Sequence, residues 1–235
     1  MHVHAFISAM EQLAPPSLAE EFDGGKIGLV IEGRPEIRRI ACALDATSAV
    51  VEQAVAAGAD MLVVHHTPLW KPVTALTGET AALLRPILSA GMNVYVMHTN
   101  LDRAPGGVND ALAELLGLTG VAPMTLGCVG SCTLPVEEIG HRLACPLRIW
   151  GVPPAIRRLA VVGGSGFDIA FMEEARGLGA DAFLSAEMKH AVARAAPLPC
   201  IEATHYALEA PAMKRLALRN GWEYIDDPPV LRTLP

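Results

Sequence analysis

Histidines and carboxylates concentrate where several predicted strands of this sequence end. His65 and His66 close an apolar run (MLVV), and Asp102 lies just beyond a later run. His205 and Glu209 are four residues apart at the start of a predicted helix, a spacing that places both on one helical face. Imidazoles and carboxylates form a ligand set that suits zinc, iron, manganese, nickel or cobalt and does not suit calcium. The residue types therefore predict a metal site.

Two divalent ions fit this set. Neighbouring side chains at a strand end can turn into one cavity, where His65 and His66 can serve different ions and the Asp102 carboxylate can bridge them. His98 lies near the end of a third predicted strand, Asn93–Asn100, and is either a further ligand or a residue that orients a ligand through a hydrogen bond. A single histidine at a strand end is commonly structural, so the prediction depends on the joint pattern. The histidines predicted to lie on the surface are His2, His4 and His141.

Two strand-to-helix junctions carry further candidates. The backbone N–H groups of Gly163, Gly164 and Ser165 can contact an anion such as phosphate, or the segment is only a tight turn. Glu187 and His190 flank another junction, where they form a general acid–base pair or simply cap a helix. Both interpretations stay open for each segment.

The elements that position these residues alternate along the chain. Apolar runs of strand length alternate with helical patterns and lack period-two alternation, as is typical of parallel strands buried on both faces. The segments Glu52–His66 and Glu173–Glu187 share the order helix, Gly-Ala-Asp turn, strand. This similarity indicates an internal duplication, although any helix-to-strand turn favours glycine.

We therefore predict an α/β fold of two similar three-layer lobes with largely parallel sheets and a metal cleft between them. The N-terminal lobe is expected to span residues 1–125 and the C-terminal lobe residues 126–235. The segment Gly117–Gly130 is the candidate boundary.

Composition excludes several classes of protein. Of the 235 residues, 51% are hydrophobic and 18% are charged, and the net charge is −7, so a disordered chain is not expected. Without a cluster of Lys and Arg, neither nucleic acid nor an anionic membrane is an expected partner. We find no signal-peptide pattern and no apolar run long enough to span a bilayer. Five scattered cysteines favour a reducing compartment, so we expect a cytoplasmic protein.

Several motifs together resemble the Nif-three-like family of dinuclear-metal proteins, also called GTP cyclohydrolase I type 2 homologues. Two positions, Phe22 and Gly24, depart from the family's early W-D-N-x-G-L signature, and Ser185-Ala186 replaces a Thr-Gly pair. The matching segments are Phe22–Leu29, Asp45–His66, His98–Asp102 with Gly107–Asn109, Val161–His190 and Thr204–Glu209.

The resemblance implies that the family's metal ligands correspond to His65, His66, Asp102, His205 and Glu209. It also implies two metals in a cleft between two lobes, and a ring-shaped hexamer. A low charge fraction fits the large apolar interfaces of such a homo-oligomer.

Two functions are consistent with this reading. The first is a metal-dependent hydrolase that acts on a nucleotide-like or other small anionic molecule, with Glu187 or His190 transferring protons. The alternative is a non-catalytic metal-binding ring that serves as a metal chaperone or a regulatory scaffold. A metal-dependent turnover that is lost in Asp102→Ala would favour the hydrolase.

Overall fold

The chain folds into two compact units of alternating helices and strands. The computed structural model describes residues 1–151 and 155–232. One unit comprises Met1–Pro105 and Met213–Pro228, and the other comprises Gly106–Ala212 with the described residues from Pro229 onwards. Within the described ranges, no helix combines the length and the apolar character that crossing a bilayer requires. The predicted α/β class is confirmed.

The elements follow one another along the chain with short connections. The first are α1 (Val3–Leu13), β1 (Gly28–Ile31), β2 (Ile40–Ala43), α2 (Ser48–Ala56), β3 (Met61–Val64), α3 (Gly78–Ala90), β4 (Asn93–Val96) and α4 (Thr99–Arg103). Next come α5 (Val108–Leu116), β5 (Thr119–Pro123), β6 (Cys128–Ser131), α6 (Val136–Leu143), β7 (Arg148–Trp150) and β8 (Arg158–Val161). The last are α7 (Ile169–Gly177), β9 (Ala182–Ser185), α8 (His190–Ala195), β10 (Cys200–Glu202), α9 (His205–Asn220) and β11 (Glu223–Tyr224).

The first unit is a three-layer arrangement around one sheet. The strand order is β1-β4-β3-β2-β11, and each pairing is parallel except that of β1 with β4. Leu62 and Val64 belong to a core that includes residues of α2 and α3. On another part of the sheet, the ring of Tyr95 lies edge-on to Phe6 of α1 at 5.5 Å. Because helices pack against its strands in this way, β3 and β4 are buried along their whole length.

The second unit is also layered, but its sheet is mixed. The strand order is β5-β6-β8-β9-β10-β7. Only β8, β9 and β10 are parallel to one another, while β5, β6 and β7 add antiparallel pairings at the edges. Leu159 and Val161 pack in one core with α5 and α6, whereas Ala160 and Val162 pack in another with α7. Parallel character is therefore confined to the centre of this sheet.

The predicted repeat forms the same local structure in each unit. Asp60 Oδ2 accepts hydrogen bonds from the backbone N–H groups of Arg38 (2.8 Å) and Arg39 (3.0 Å). Asp181 Oδ2 accepts from the N–H groups of residues 157 and 158 at 2.8 and 2.9 Å. In each case the aspartate of the Gly-Ala-Asp turn precedes its own strand and hydrogen-bonds to the backbone just before or at the start of the preceding strand. An internal duplication predicts this correspondence.

The sequence patterns missed two edge strands. The patterns indicate no strand at the positions of β1 and β5. β5 contains Gly120 and Pro123, residue types that are depleted in strands and tolerated at sheet edges. The predicted lobe boundary at residues 125 and 126 falls between β5 and β6, which pair with each other.

Candidate metal centre

Three imidazoles cluster beyond the carboxyl ends of β3 and β4 in the first unit. The ring centroids are 4.9 Å apart for His65 and His66, 5.2 Å for His65 and His98, and 5.6 Å for His66 and His98. One ring nitrogen from each of the three lies within 4.8 Å of the others. This spacing lets the group hold a metal ion.

The tautomers of His65 and His66 follow from their hydrogen bonds. Nδ1 of His65 lies 2.7 Å from the carbonyl oxygen of Met97, and Nδ1 of His66 lies 2.7 Å from Asp45 Oδ1. A carbonyl or carboxylate oxygen can only accept, so each Nδ1 donates its proton. The lone pair of each neutral ring is then on Nε2, which is the form that binds a metal.

His98 is held in the same way by a buried carboxylate. Its Nδ1 donates to Asp23 Oδ1 at 2.8 Å, and Asp23 also accepts from the backbone N–H and hydroxyl of Thr99. The rings of Trp70 and Phe22 lie edge-on to His98, at 5.2 and 6.1 Å. Burial lowers the pKa of His98 below its ordinary value. The ring therefore stays neutral at physiological pH.

The neighbouring imidazole of His65 also affects the protonation of His98. The charge of a protonated His65 lowers the pKa of His98 further, whereas the hydrogen bond to Asp23 raises it. The net direction is downward, so His98 is suited to a ligand role as well as to orienting another residue.

Asp102 reaches this cluster from a short helix that the sequence patterns did not predict. The strand expected to continue to Asn100 ends at Val96, and α4 begins at Thr99. The turn places Asp102 Oδ1 3.5 Å from Nε2 of His65. Three imidazoles and one carboxylate thus converge within the first unit.

In the second unit, His205 and Glu209 lie in the first two turns of α9. The hydroxyl of Thr204 accepts from the N–H of Ala207 at 3.2 Å and so caps the start of this helix. The four-residue spacing brings His205 Nε2 to 2.9 Å from Glu209 Oε2, as the sequence predicted for one helical face. Glu209 is buried, with 3% of its surface exposed.

Glu187 forms a hydrogen bond directly with His205. Its Oε1 accepts from Nδ1 of His205 at 2.9 Å, which leaves the lone pair of a neutral ring on Nε2. The backbone of Glu187 has φ of 62°, a left-handed conformation that costs energy for a residue with a side chain. His190, the predicted partner of Glu187, is exposed at the first position of α8. Glu187 is thus placed to orient His205.

The glycine-rich loop, residues 163–166, packs against His205 and Glu209. The N–H of Gly163 donates to Asn109 Oδ1 at 2.8 Å, so that donor is already used within the protein. Gly164 has φ of 64°, and a Cβ built on it would lie 2.3 Å from Glu209 Oε1. Glycine is required here because the loop backbone approaches the carboxylate closely. Ser165 is the exposed member of the predicted anion-contact group.

Ser185 braces this loop from β9. Its buried hydroxyl accepts from the N–H of Gly166 at 2.8 Å and donates to the carbonyl oxygen of Gly164 at 2.9 Å. A hydroxyl at this position therefore fixes the backbone beside Glu209.

Sequence reasoning missed the residues that hold the histidines. Asp23 and Asp45 were not assigned to the site, and Glu187 was assigned a different role. Each acts through an imidazole, and a carboxylate following a strand or a turn has no local signal that reveals its partner. The three histidines predicted to be on the surface are exposed, namely His2, His4 and His141.

The residues present fit divalent metal ions. Within each unit, neutral imidazoles lie beside carboxylates, and nitrogen and oxygen donors of this kind suit borderline metals. A hydrogen bond from Nδ1 to a carbonyl or carboxylate is the usual arrangement behind a ligating histidine.

Comparisons with known proteins agree on one family. A family model described as Duf34/NIF3 (NGG1p interacting factor 3) matches residues 1–220. A protein of Streptomyces coelicolor named GTP cyclohydrolase 1 type 2 homolog is 34% identical over 92% of this chain and 87% of its own length.

Solved structures share the fold along nearly the whole chain. The reduced HcgD protein of Methanocaldococcus jannaschii is 29% identical, with a TM-score of 0.80 over 95% of this chain and 96% of its own. A Bacillus cereus protein related to NIF3 is 20% identical, with a TM-score of 0.84 over 99% of both chains, which shows the fold alone.

Proposed function

The chain belongs to the Duf34/NIF3 family, and we propose that it binds two divalent metal ions and uses them to hydrolyse a small anionic substrate. The observation that carries the proposal is the set of hydrogen bonds at Nδ1 of the histidines, which hold each ring with Nε2 as the basic nitrogen. The ligands in this proposal are His65, His66, Asp102, His205 and Glu209.

The proposal assigns a task to each supporting group. Divalent ions bound to such a set activate water and polarise a carbonyl, amidine or phosphoryl group. Asp45 holds the ring of His66, and Asp23 holds that of His98. Glu187 keeps 59% of its side chain exposed while it binds His205, so its carboxylate can also accept a proton from solvent or substrate. His190 is the second candidate for proton transfer.

A nucleotide-like substrate is the class we favour. The name of the Streptomyces coelicolor relative refers to a GTP cyclohydrolase. In this proposal the exposed Ser165 at the glycine-rich loop contacts an anionic group of the substrate.

We also propose that the protein is a cytoplasmic homo-oligomer, with six subunits. Phe22 and Leu218 expose 57% and 73% of their surface, and contact with another subunit would remove these apolar side chains from water. All five cysteines are free thiols, as suits a reducing compartment. Sedimentation at micromolar concentration is expected to give a species well above 24.8 kDa, and a monomer alone would contradict the proposal.

The hydrolase is tested by activity with defined metal. The purified protein is stripped with a chelator, reloaded with one divalent metal at a time, and screened against nucleotides, cyclic amides and phosphate esters. We expect turnover that needs the metal and disappears in Asp102→Ala, while Glu52→Gln on α2 behaves as wild type. Tight metal binding without turnover of any substrate would instead favour a metal chaperone or scaffold.

A further inference from the structure

The second unit contains a cavity of about 470 Å³ beside His205 and Glu187. It lies beyond the carboxyl ends of β9 and β10, where α/β folds place their ligands. The volume is within the range of roughly 300–1,000 Å³ that small-molecule sites occupy. The apolar part of the lining comes from Pro146, Leu147, Ala186, Ala203 and Leu231.

One arginine, Arg148, lies in the lining of this cavity, together with the carboxylates of Glu187 and Glu202. Arg148 of β7 lies directly opposite Glu202 of β10 in an antiparallel pair. Side chains paired in this way share one face of the sheet, and Arg148 Nη2 lies 2.5 Å from Glu202 Oε1. The guanidinium also lies 5.7 Å from the centre of the Trp150 ring. Arg148 is therefore held in place on two sides.

Glu202 is built to hold this arginine. It is 6% exposed, and its carboxylate also accepts from Nε1 of Trp150 at 2.9 Å and from the N–H of Met188 at 3.1 Å. Burial raises the pKa of Glu202, but these hydrogen bonds and the charge of Arg148 together lower it by more, so the net shift is downward. The carboxylate is thus ionised, and its charge is balanced by Arg148.

Arg148 remains accessible although it is paired. Its side chain is 67% exposed, and a guanidinium carries five N–H donors. It can therefore keep its bond to Glu202 and bind an anion at the same time.

We propose that this cavity binds the body of the substrate and that Arg148 binds its phosphate or carboxylate group. The ligand class is a small anion with an apolar or planar body. This assignment rests on the proposed function, because His205 and Glu187 place the cavity beside residues that we assign to the metal centre. Arg148 is then a specificity-determining residue, and Glu202 is its positioning residue.

The test is calorimetric titration of the full chain with phenyl phosphate, benzoate and phenol. Each probe is titrated into metal-loaded and chelator-treated protein, and metal content is measured on the same samples. We expect both anions to bind the chelated protein and neutral phenol to bind about tenfold more weakly. Comparing the two anions tells whether the site prefers phosphate or carboxylate.

Variants separate the arginine from general effects. Arg148→Gln is expected to weaken phenyl phosphate about tenfold or more, since a hydrogen bond to a charged group is lost. Arg148→Lys keeps a charge for Glu202, so it is expected to fold and to bind with an intermediate loss. Arg176→Gln, an exposed ion-paired arginine of α7, is the matched control and should not change binding.

The outcomes are distinct for the two proposals. Equal affinity in folded Arg148→Gln and wild type, absence of binding in the wild type, or complete loss of binding on chelation would each overturn the cavity assignment. Binding of phenyl phosphate by protein that retains no metal under any loading condition would support the cavity and contradict the metal-dependent hydrolase.

Discussion

Gly164→Ala is the substitution whose consequences the structure specifies most fully. Position 164 has φ of 64°, which is unfavourable for alanine by roughly 1–2 kcal/mol. The new Cβ would lie 2.3 Å from Glu209 Oε1 and 3.3 Å from His205 Nε2, so the Glu209 carboxylate must move. This carboxylate is the far end of a buried side chain, so it can rotate away from the new Cβ only by leaving its present position. We therefore expect the displacement to weaken metal binding.

The substitution therefore has two separable effects. The cost of the left-handed backbone conformation for alanine should lower the melting temperature by about 2–8 °C, at about 2–4 °C per kcal/mol for a chain of this length. This loss should persist after chelation. Displacement of Glu209 should weaken the bound metal by at least about tenfold, by analogy with the loss of a residue that supports a metal ligand.

The assay is a competition titration with a chromophoric chelator, together with melting curves in the presence and absence of chelator. Gly177→Ala at the end of α7 is the matched control, since a Cβ there meets nothing within 4 Å. Wild-type metal affinity in folded Gly164→Ala would refute the placement of Glu209 as a ligand.

Three other expectations concern a supporting carboxylate, a pH dependence and the thiols. Asp45→Asn removes the carboxylate that accepts from Nδ1 of the proposed ligand His66 and should weaken metal binding about 10–100-fold in the same titration. Burial raises the pKa of Asp60, but hydrogen bonds from the N–H groups of residues 38 and 39 and nearby arginine charges give a net decrease. The unfolded chain therefore binds a proton at Asp60 more tightly than the folded chain does, and the free energy of unfolding falls as the pH drops through the usual Asp range. In urea unfolding below pH ~5, Asp60→Asn should lose less of this free energy than the wild type. Four of the five thiols are buried, so a thiol reagent should modify only the half-buried Cys145 rapidly in native protein. Rapid reaction of several thiols would contradict the packing.

Local patterns in the sequence were sufficient to predict much of the fold. The helix Val3–Leu13 and the buried strands at Met61 and Asn93 follow from apolar periodicity, which reflects burial on one or both faces. Edge strands such as β5 have polar, exposed residues, and their pairing is decided by the neighbouring strand β6. No pattern inside Thr119–Pro123 contains that information.

The candidate site divides in the same way. Ligand-type residues at strand ends were identified because topology brings the ends of parallel strands to one edge. The carboxylates that hydrogen-bond to these histidines were not identified as such. Asp23, for example, is 75 residues from His98 in the chain, and only the folded loop brings the two together. The glycines at 163 and 164 were recognised as a special loop, but the reason for one of them, the approach of Glu209, is a tertiary contact.

The most direct test of the central claim is elemental analysis of metal per chain in freshly purified protein and in two variants. Wild type and His141→Gln, which alters an exposed histidine, should each hold about two divalent ions, as expected for a dinuclear site. Glu209→Gln keeps the side-chain volume, removes the charge and should lose at least one ion. A single ion in the wild type, or full metal content in Glu209→Gln with a loss in His141→Gln, would contradict the ligand assignment.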